Sequence, residues 1–445
     1  MARRAWTAAL AATLGALIMF AGGAQASPVL MISLDGLRPD DVAKAAERGI
    51  KVPNLQALMR EGAYASGVTG VLPTLTYPSH TTLVTGVAPA EHGVSNNQTF
   101  DPDAKNQQGW YWYASDIRVP TLWQVAHAAG LKTANVHWPV SVGGTVIDEN
   151  LPQIWRTGTP DDPKLLAALA TPGLLPRLEA KLGAYAQGID ETVEGDANRV
   201  RFAQAMLADR PDFTTVYLAG IDHAEHHGGP GSPEAVATIE KTDVLVGELA
   251  ASARKAMPDV TVVIVSDHGF LPVATDINVF APFVEAGLIA LDQAGKVTSW
   301  QAEPWLAGGT AFVVLSPPED PALLARVTTL MRKLAADPRY HIAGLLDRAE
   351  TRAMGGPAEA TLTIVMEPGY ETGRDPKAPL ALPSTYKGMH GYVPSLPEMH
   401  STLIVSGPSL LKRGSLGTVD MRAIAPSIAR ILGVPLPTSA QKAVF

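Results

Sequence analysis

The sequence predicts a doubly wound α/β fold: a mainly parallel sheet with helices on both faces and a smaller α+β insertion. Short apolar runs recur along the chain, and helical patterns separate them. This alternation is typical of parallel strands joined by crossover helices. The predicted strands are 29–34, 133–137, 214–219, 261–266 and 402–406, and the predicted helices are 120–129, 199–208, 233–256 and 421–432.

The alternation of strands and helices stops at 271–386. This segment combines two apolar strand patterns, a helical stretch and a loop rich in proline and glycine. It therefore predicts an α+β subdomain inserted into a core formed by 27–270 and 387–445. A second insertion of loops and helix is expected at about 141–198.

The composition is that of a large globular chain. Of the 445 residues, 46% are hydrophobic and 18% are charged, which is enough apolar surface for an extended core. The 40 glycines and 36 prolines show no period, so collagen-like and low-complexity chains are excluded.

Residues 1–26 have the pattern of a secretory signal peptide. Two arginines precede an apolar run at 7–20, and the small residues that follow end at Ala26. The run is shorter than the roughly 20 residues of a membrane-spanning helix, which argues against a membrane anchor. We expect cleavage near Ala26 and a periplasmic or secreted protein with no transmembrane segment in its mature chain.

The mature chain is acidic and contains no cysteine. Loss of Arg3 and Arg4 leaves 33 basic and 43 acidic residues, a net charge of −10. A nucleic-acid polymer is therefore not an expected partner, whereas a small phosphorylated molecule can still bind where cations reverse the local field. Any metal site has to use His, Asp and Glu.

Acids and histidines follow three of the predicted strands. In a doubly wound sheet, ligands bind beyond the carboxyl ends of the strands. One aspartate after a strand is ordinarily a turn or cap residue, but three such places with matching ligand chemistry indicate a shared centre. The residues are Asp35, Asp222, His226, Asp267 and His268.

The spacing of these residues suits metal binding. Asp222 and His226 are four apart, so one helical turn would place them on the same face. Asp267 and His268 are adjacent and would diverge on a regular strand, so the strand has to end before them. Carboxylate and imidazole ligands suit zinc, with Mn²⁺ also compatible, and a two-metal centre beside a hydroxyl suits phosphoryl transfer. The histidines interpreted as surface or core residues are His223, His227 and His400.

Seven motifs then resemble, in order, the nucleotide pyrophosphatase/phosphodiesterase family (type I phosphodiesterase) of the alkaline phosphatase superfamily. They cover most of the chain outside the two insertions, and the resemblance implies an alkaline phosphatase-like sheet. The motifs are ISLDGLR at 32–38, PNL at 53–55, LTYPSH at 75–80, LVTGVAPAEHG at 83–93, DHAEH at 222–226, SDHG at 266–269 and GMHGY at 388–392.

The resemblance implies a covalent mechanism with two Zn²⁺ per chain. Thr76 would be the nucleophile, on the metal that activates it. His390 is assigned by the resemblance alone, since its spacing is that of an ordinary loop residue. The first metal would be held by Asp35, Thr76, Asp267 and His268, and the second by Asp222, His226 and His390.

Two further residues are assigned to the substrate. Asn97 falls where the family has an asparagine that donates to a phosphoryl oxygen, and Asn96 is a rival for this role. Tyr77 is expected to contact substrate and Trp138 is a second candidate, although either ring would equally suit the core.

The segment around Thr76 is consistent with a helix start. Pro78 suits the first turn, because it lacks the amide hydrogen that would be unpaired there. Thr76 would then lie just before the helix, where main-chain amides favour an anionic phosphate. His80 is expected to pack or hydrogen-bond nearby.

The resemblance favours an exported hydrolase of phosphodiester or pyrophosphate bonds in nucleotide-like substrates. Related monoesterases carry a Lys-x-Arg pair, and the corresponding region at 149–158 offers only Arg156. A phosphomonoesterase or phosphonate hydrolase of the same superfamily is the alternative. A sulfatase is disfavoured because its Cys/Ser-x-Pro-x-Arg motif is missing from the sequence. A periplasmic binding protein is a remote alternative, since it needs no clustered metal ligands.

Overall fold

The computed structural model describes residues 26–106, 109–155, 161–185 and 190–445. The signal-peptide pattern up to residue 25 and Arg156 lie outside the described residues. The strands are β1 Val29–Leu34, β2 Ala63–Tyr64, β3 Gly67–Thr69, β4 Thr133–Val136, β5 Glu149–Leu151, β6 Phe213–Leu218, β7 Thr261–Val265, β8 Leu271–Pro272, β9 Thr275–Asn278, β10 Ile289–Leu291, β11 Val297–Trp300, β12 Ala302–Ala307, β13 Thr310–Leu315, β14 Ile342–Asp347, β15 Leu362–Met366, β16 Tyr370–Gly373, β17 Ala381–Pro383, β18 Gly388–Met389, β19 Leu403–Ser406, β20 Gly414–Ser415 and β21 Thr418–Asp420. The helices are α1 Pro39–Ala43, α2 Pro53–Glu61, α3 Thr76–Thr85, α4 Pro89–His92, α5 Leu122–Ala128, α6 Asp162–Leu169, α7 Leu174–Leu182, α8 Val193–Leu207, α9 Gly220–Gly228, α10 Pro233–Ala256, α11 Ala281–Glu285, α12 Pro321–Ala335, α13 Arg348–Ala353 and α14 Ile424–Leu432.

The main sheet has eight strands in the order β20-β2-β19-β7-β1-β6-β4-β5. The five strands from β7 to β5 are parallel to one another, which confirms the predicted fold class. Strand β5 lies within the segment predicted as an insertion of loops and helix. Its three residues are too few to show a strand pattern in the sequence.

Strand β19 corrects one expectation. Its sequence predicted a parallel strand, but it pairs with β7 in the antiparallel direction, from Leu403 opposite Val265 to Ser406 opposite Val262. The chain returns from the insertion at the carboxyl edge of the sheet and enters β19 directly, without the crossover helix that a parallel strand requires.

Helices cover both faces of the main sheet because its buried strands alternate between two apolar clusters. In β1, Leu30 and Ile32 pack in the cluster that includes residues of α2, α8 and α10. Val29 and Met31 pack on the other face, in the cluster that includes residues of α3, α5 and α14. Both faces of the central strands are therefore buried against apolar side chains, as is typical of a parallel sheet.

The chain between β8 and β18 forms its own core. An antiparallel sheet in the order β12-β13-β15-β14 packs with α12 in a separate apolar cluster. Trp305 and Phe312 of this sheet contact Leu72 and Leu75, which precede α3. The inserted segment therefore lies against the loop that leads to Thr76, while its exact boundaries stay a prediction.

In the described parts of the chain, no helix combines the length and apolar character needed to cross a membrane.

Candidate metal centre and active site

Asp35 is positioned by the end of β1. Its main-chain N–H donates to the carbonyl of Leu218 at 3.0 Å, which extends the pairing of β1 with β6. Gly36 has a φ of 77°, and its N–H donates to Oδ1 of Asp267 at 3.2 Å. A Cβ on Gly36 would lie 2.7 Å from the ring of Phe270, so glycine is required by both conformation and space. This turn joins the loop after β1 to the loop after β7.

Asp267 and His268 converge with Asp35. Strand β7 ends at Val265, so the two residues lie in a loop and their side chains are not forced to opposite faces. His268 Nε2 lies 3.1 Å from Oδ2 of Asp267 and 3.3 Å from Oδ1 of Asp35. The three buried side chains form a first group of potential metal ligands.

A second group adjoins the first. Asp222 and His226 lie one turn apart in α9, with His226 Nε2 3.5 Å from Oδ1 of Asp222. His390, just after β18, brings its Nε2 to 3.6 Å from the same oxygen. The rings of His268 and His390 stack with their centroids 3.6 Å apart. We call the two groups together the metal centre. His223, His227 and His400 belong to neither group.

Hydrogen bonds from outside the metal centre orient its side chains. His226 Nδ1 lies 2.9 Å from the carbonyl of Gly388, and His390 Nδ1 lies 3.0 Å from the carbonyl of Thr74. An imidazole that donates from Nδ1 keeps the lone pair on Nε2 for a metal.

Tyr217 gives the same kind of support to a carboxylate, because its hydroxyl donates to Oδ2 of Asp35 at 2.5 Å. Sequence reasoning missed all these contacts. Main-chain carbonyls have no residue signal, and Tyr217 occupies an ordinary strand position.

The carboxylates of the metal centre have oxygens that suit a cation. Oδ1 of Asp35, Oδ1 of Asp222 and Oδ2 of Asp267 are buried without a hydrogen-bond partner among the described residues. Buried polar atoms are normally paired, so three orphaned oxygens at one place call for an ion or other donor. The residues of both groups therefore fit divalent cations bound by Asp and His.

The electrostatics of the metal centre lead to the same conclusion. Burial, with a contribution from Asp267, raises the pKa of Asp35 well above its usual range, and burial raises the pKa of Asp267 to about 7. Burial lowers the pKa of His226 to about 4 and that of His390 well below its usual range. The imidazoles are thus neutral and provide no positive charge to the acids. Bound cations would provide it and return the carboxyls to their ionised form.

Thr76 lies beside the first group. Its Oγ1 is 3.5 Å from Nε2 of His268. The helix α3 begins at Thr76, one residue earlier than predicted, so Thr76 is its first residue and does not precede it. Pro78 lies in the first turn, as predicted. His80 uses both ring nitrogens, at 2.7 Å from the Thr76 carbonyl and 2.8 Å from Ser33 Oγ. His80 therefore supports the start of α3, which agrees with its predicted packing role.

Asn97 and Asn96 differ in their surroundings. Oδ1 of Asn97 accepts the main-chain N–H of Tyr77 at 2.9 Å, which places this amide at the first turn of α3. Its Nδ2 group has no hydrogen bond to the described residues and remains available as a donor. Nδ2 of Asn96 instead donates to the carbonyl of Leu306 at 2.9 Å. Asn96 thus joins the core to the inserted segment.

The structure corrects the expected substrate contact of Tyr77. Its side chain is 1% exposed and packs against Trp110 and Trp112, at centroid distances of 5.2 and 5.9 Å. Trp138 is also buried, and its Nε1 donates to the His80 carbonyl. Sequence position next to Thr76 gave no indication of burial, because successive helical residues face different directions.

A cavity of about 430 Å³ opens beside the metal centre. Its inner side includes Asn97, His226 and His390. We call Glu303, Trp305 and Arg374, which face them from the inserted segment, the subdomain wall. No sequence motif indicated this wall. The charged side chains of the cavity outside the metal centre are Asp101, Glu303, Glu371 and Arg374.

Comparisons with known proteins identify chains similar to this one. A family model described as type I phosphodiesterase/nucleotide pyrophosphatase matches residues 29–393. Ectonucleotide pyrophosphatase/phosphodiesterase family member 1 of Homo sapiens is 25% identical over 260 residues, which are 56% of this chain and 24% of the relative. A pyrophosphatase/phosphodiesterase of Schizosaccharomyces pombe is 26% identical over 55% of this chain and 45% of its own length. The chain thus spans less than half the length of these relatives.

Solved structures share the fold. Murine ectonucleotide pyrophosphatase/phosphodiesterase 5 superposes with a TM-score of 0.65 and 18% identity, over 94% of this chain and 98% of the neighbour. The human protein gives a TM-score of 0.62 with 18% identity, over 94% and 97% of the two chains. An inactive variant of the murine protein in complex with AMP gives 0.63 with 16% identity, over the same shares.

Proposed function

Because this chain belongs to the type I phosphodiesterase/nucleotide pyrophosphatase family, we propose that it hydrolyses phosphodiester or pyrophosphate bonds of nucleotide-like molecules. The observation that carries the proposal is the position of Thr76 Oγ1, 3.5 Å from His268 Nε2 and beside two groups of metal ligands. Its relatives are named for this chemistry, and a neighbour of the same fold binds AMP.

Two zinc ions are the proposed cofactors. Asp35, Asp267 and His268, together with Thr76, would hold one ion, and the group around Asp222 would hold the other. When bound, the ions supply positive charge that lowers the pKa of a nearby hydroxyl and stabilises the phosphoryl oxygens. Mn²⁺ has compatible ligand preferences. The orphaned carboxylate oxygens support this assignment.

Thr76 acts as the nucleophile. Its Oγ1 releases its proton to solvent and forms a bond to phosphorus while the bond from phosphorus to the leaving oxygen breaks, and the leaving group departs with the electron pair. Water then attacks the phospho-threonine, the bond from phosphorus to Oγ1 breaks, and Oγ1 takes up a proton as the attacking water loses one, which restores the hydroxyl and releases the monoester. The positive end of the α3 helix dipole favours the anionic phosphate, although the Tyr77 N–H is already donated to Asn97 and Pro78 has no N–H.

Asn97 binds a phosphoryl oxygen through its Nδ2 group. The bond from the Tyr77 N–H to Oδ1 fixes the side chain before substrate arrives. A donor held in this way stabilises charge that develops in the transition state, without first having to reorient.

The charges of the cavity favour a diester over a monoester. Arg374 is the single guanidinium among the described cavity residues, and it is paired with Glu303. A monoester has one more ionisable oxygen than a diester, and the described cavity residues offer no unpaired guanidinium or ammonium group to offset the additional charge. Phosphomonoester or phosphonate hydrolysis is the second candidate.

Export through the pattern at residues 1–26 completes the proposal. Amino-terminal sequencing of protein recovered outside the cytoplasm of its own cell is expected to begin at Ser27. Sequencing that begins at Met1 would contradict the cleavage.

The decisive experiment measures the hydrolysis of two nitrophenyl substrates and the zinc content of the same preparation. We expect the nitrophenyl ester of a nucleoside monophosphate to be hydrolysed faster than nitrophenyl phosphate, by protein that contains two zinc ions per chain. Faster hydrolysis of nitrophenyl phosphate would favour the second candidate, a phosphomonoester or phosphonate hydrolase. A folded protein without bound metal or turnover would favour a binding protein.

A further inference from the structure

Glu303 is a buried carboxylate in the wall of the cavity. It lies in β12 and is 1% exposed. Its Oε1 accepts from a guanidinium nitrogen of Arg374 at 2.9 Å. Its Oε2 is buried and has no hydrogen-bond partner among the residues that the structure describes. Glu303 thus lines the cavity with one buried carboxylate oxygen that has no partner among the described residues.

Flat apolar surface lies next to this oxygen. Trp305 is two positions along the same strand, so its side chain is on the same face as Glu303. Its Nε1 donates to the carbonyl of Gln98 at 3.2 Å, which fixes the indole. The ring of Phe100 lies 5.5 Å from the Trp305 ring, and both rings line the cavity. The site thus combines aromatic surface with a charged acceptor.

Arg374 adds a charged donor. Its guanidinium lies 4.7 Å above the ring of Phe280, and this contact and the ion pair with Glu303 hold it in place. A ligand that matches both side chains is flat and has an N–H donor beside an acceptor on one edge. Nucleobases have such edges, whereas alkyl, aryl and quaternary ammonium groups have no N–H.

We propose that Glu303 is a specificity-determining residue that binds the N–H edge of a nucleobase, with Arg374 donating to the neighbouring acceptor. This inference rests on the proposed function and identifies its substrates as nucleoside esters. A base without a donor leaves Oε2 of Glu303 desolvated and unpaired, so the site discriminates against it.

The test uses two substrates that differ at one nitrogen. The 5′-(4-nitrophenyl) phosphate diester of thymidine has an N3–H donor, and that of N3-methylthymidine has none. For the wild-type protein we expect kcat/KM to be roughly ten- to a hundredfold higher for thymidine, the range of one hydrogen bond to a charged group. For Glu303→Met the ratio is expected to approach one, because the acceptor is removed while the side chain keeps a similar length.

The matched control is Glu319→Met. Glu319 is an exposed acid of the same inserted segment, where it pairs with Arg348 outside the cavity. This variant is expected to keep the wild-type ratio. If Glu303→Met does not fold, Glu303→Gln, which keeps the shape and removes the charge, is expected to lower the ratio.

Calorimetric titration with the two nucleoside monophosphates separates this inference from the proposed function. Preference for thymidine monophosphate by a protein without turnover would contradict the proposed hydrolysis and support the role of Glu303. Equal wild-type values for both esters and both monophosphates would overturn the role of Glu303, even if the protein is an efficient diesterase. A folded Glu303→Met protein with the wild-type ratio would overturn it as well.

Discussion

The two sides of the cavity are built in different ways. Five of the six side chains of the metal centre come from the segments that follow β1, β6 and β7. Hydrogen bonds such as that from the Gly36 N–H to Oδ1 of Asp267 connect these segments. The subdomain wall comes from β12 and from the loop after β16, in a segment with its own core. The edge of the main sheet therefore carries the proposed chemistry, whereas the inserted segment shapes the proposed specificity for the substrate.

The largest loss of activity is expected beside the metal centre, at the proposed nucleophile. Thr76→Ala removes the hydroxyl that we propose to attack phosphorus, so turnover is expected to fall by at least about a thousandfold with zinc content nearly unchanged. Steady-state kinetics on a nucleotide diester measure this. Thr81→Val is the control in the same helix, since the Thr81 hydroxyl only bonds back to the Tyr77 carbonyl. Comparable loss in both variants would mean that α3 is damaged in general.

Substitution of a ligand of one metal is expected to remove that metal and leave the other bound. His390→Ala leaves the first group intact, so bound zinc is expected to fall from two ions to one and kcat/KM by roughly a few hundredfold. Metal analysis and the thermal unfolding midpoint check this, and added zinc is expected to raise the midpoint less than in the wild type. His400→Ala, outside both groups, is the control. Two tightly bound ions in the His390→Ala protein would exclude His390 as a ligand.

Substitutions of Asn97 and Asn96 test which of the two side chains binds the phosphoryl group. Asn97→Ala removes a donor to a phosphoryl oxygen, and kcat is expected to fall about a hundredfold while the unfolding midpoint changes little. Asn96→Ala removes the bond to the Leu306 carbonyl, so it is expected to lower the midpoint more than kcat. The opposite pattern would exchange the roles of the two asparagines.

The smallest effect is expected on the subdomain wall and depends on pH. Burial raises the pKa of Glu303 to about 7, Arg374 opposes this, and Asp101 and Asp103 add to it. Oε2 accepts a strong hydrogen bond only when the carboxyl group of Glu303 is ionised. The preference for thymidine over N3-methylthymidine is therefore expected to rise a few-fold from about pH 6 to about pH 8. A preference independent of pH would indicate that Glu303 does not titrate in this range.

The sequence predicted the central strands of the main sheet and the acids that meet beyond their ends. Buried parallel strands are continuous apolar runs, and their ends are the places where charged residues can reach a ligand. Asp35, Asp222 and Asp267 could be found in this way. His390 needed the family resemblance, because it follows a two-residue strand without a pattern of its own.

The errors came from features that depend on distant parts of the chain. The direction of β19 is determined by the path of the whole insertion, and the burial of Tyr77 by Trp110 and Trp112 more than thirty positions away. Glu303 looks like any strand residue until Arg374 and the cavity are placed around it. Long-range packing of this kind leaves no local signal in the sequence.

The stereochemical course at phosphorus decides whether hydrolysis proceeds through phospho-Thr76. The substrate is a nucleotide diester made chiral at phosphorus with sulfur, hydrolysed in isotopically labelled water. Attack by Thr76 and then by water inverts the phosphorus twice, so we predict net retention of configuration. Net inversion would show a single direct attack by water and would exclude phospho-Thr76 as an intermediate.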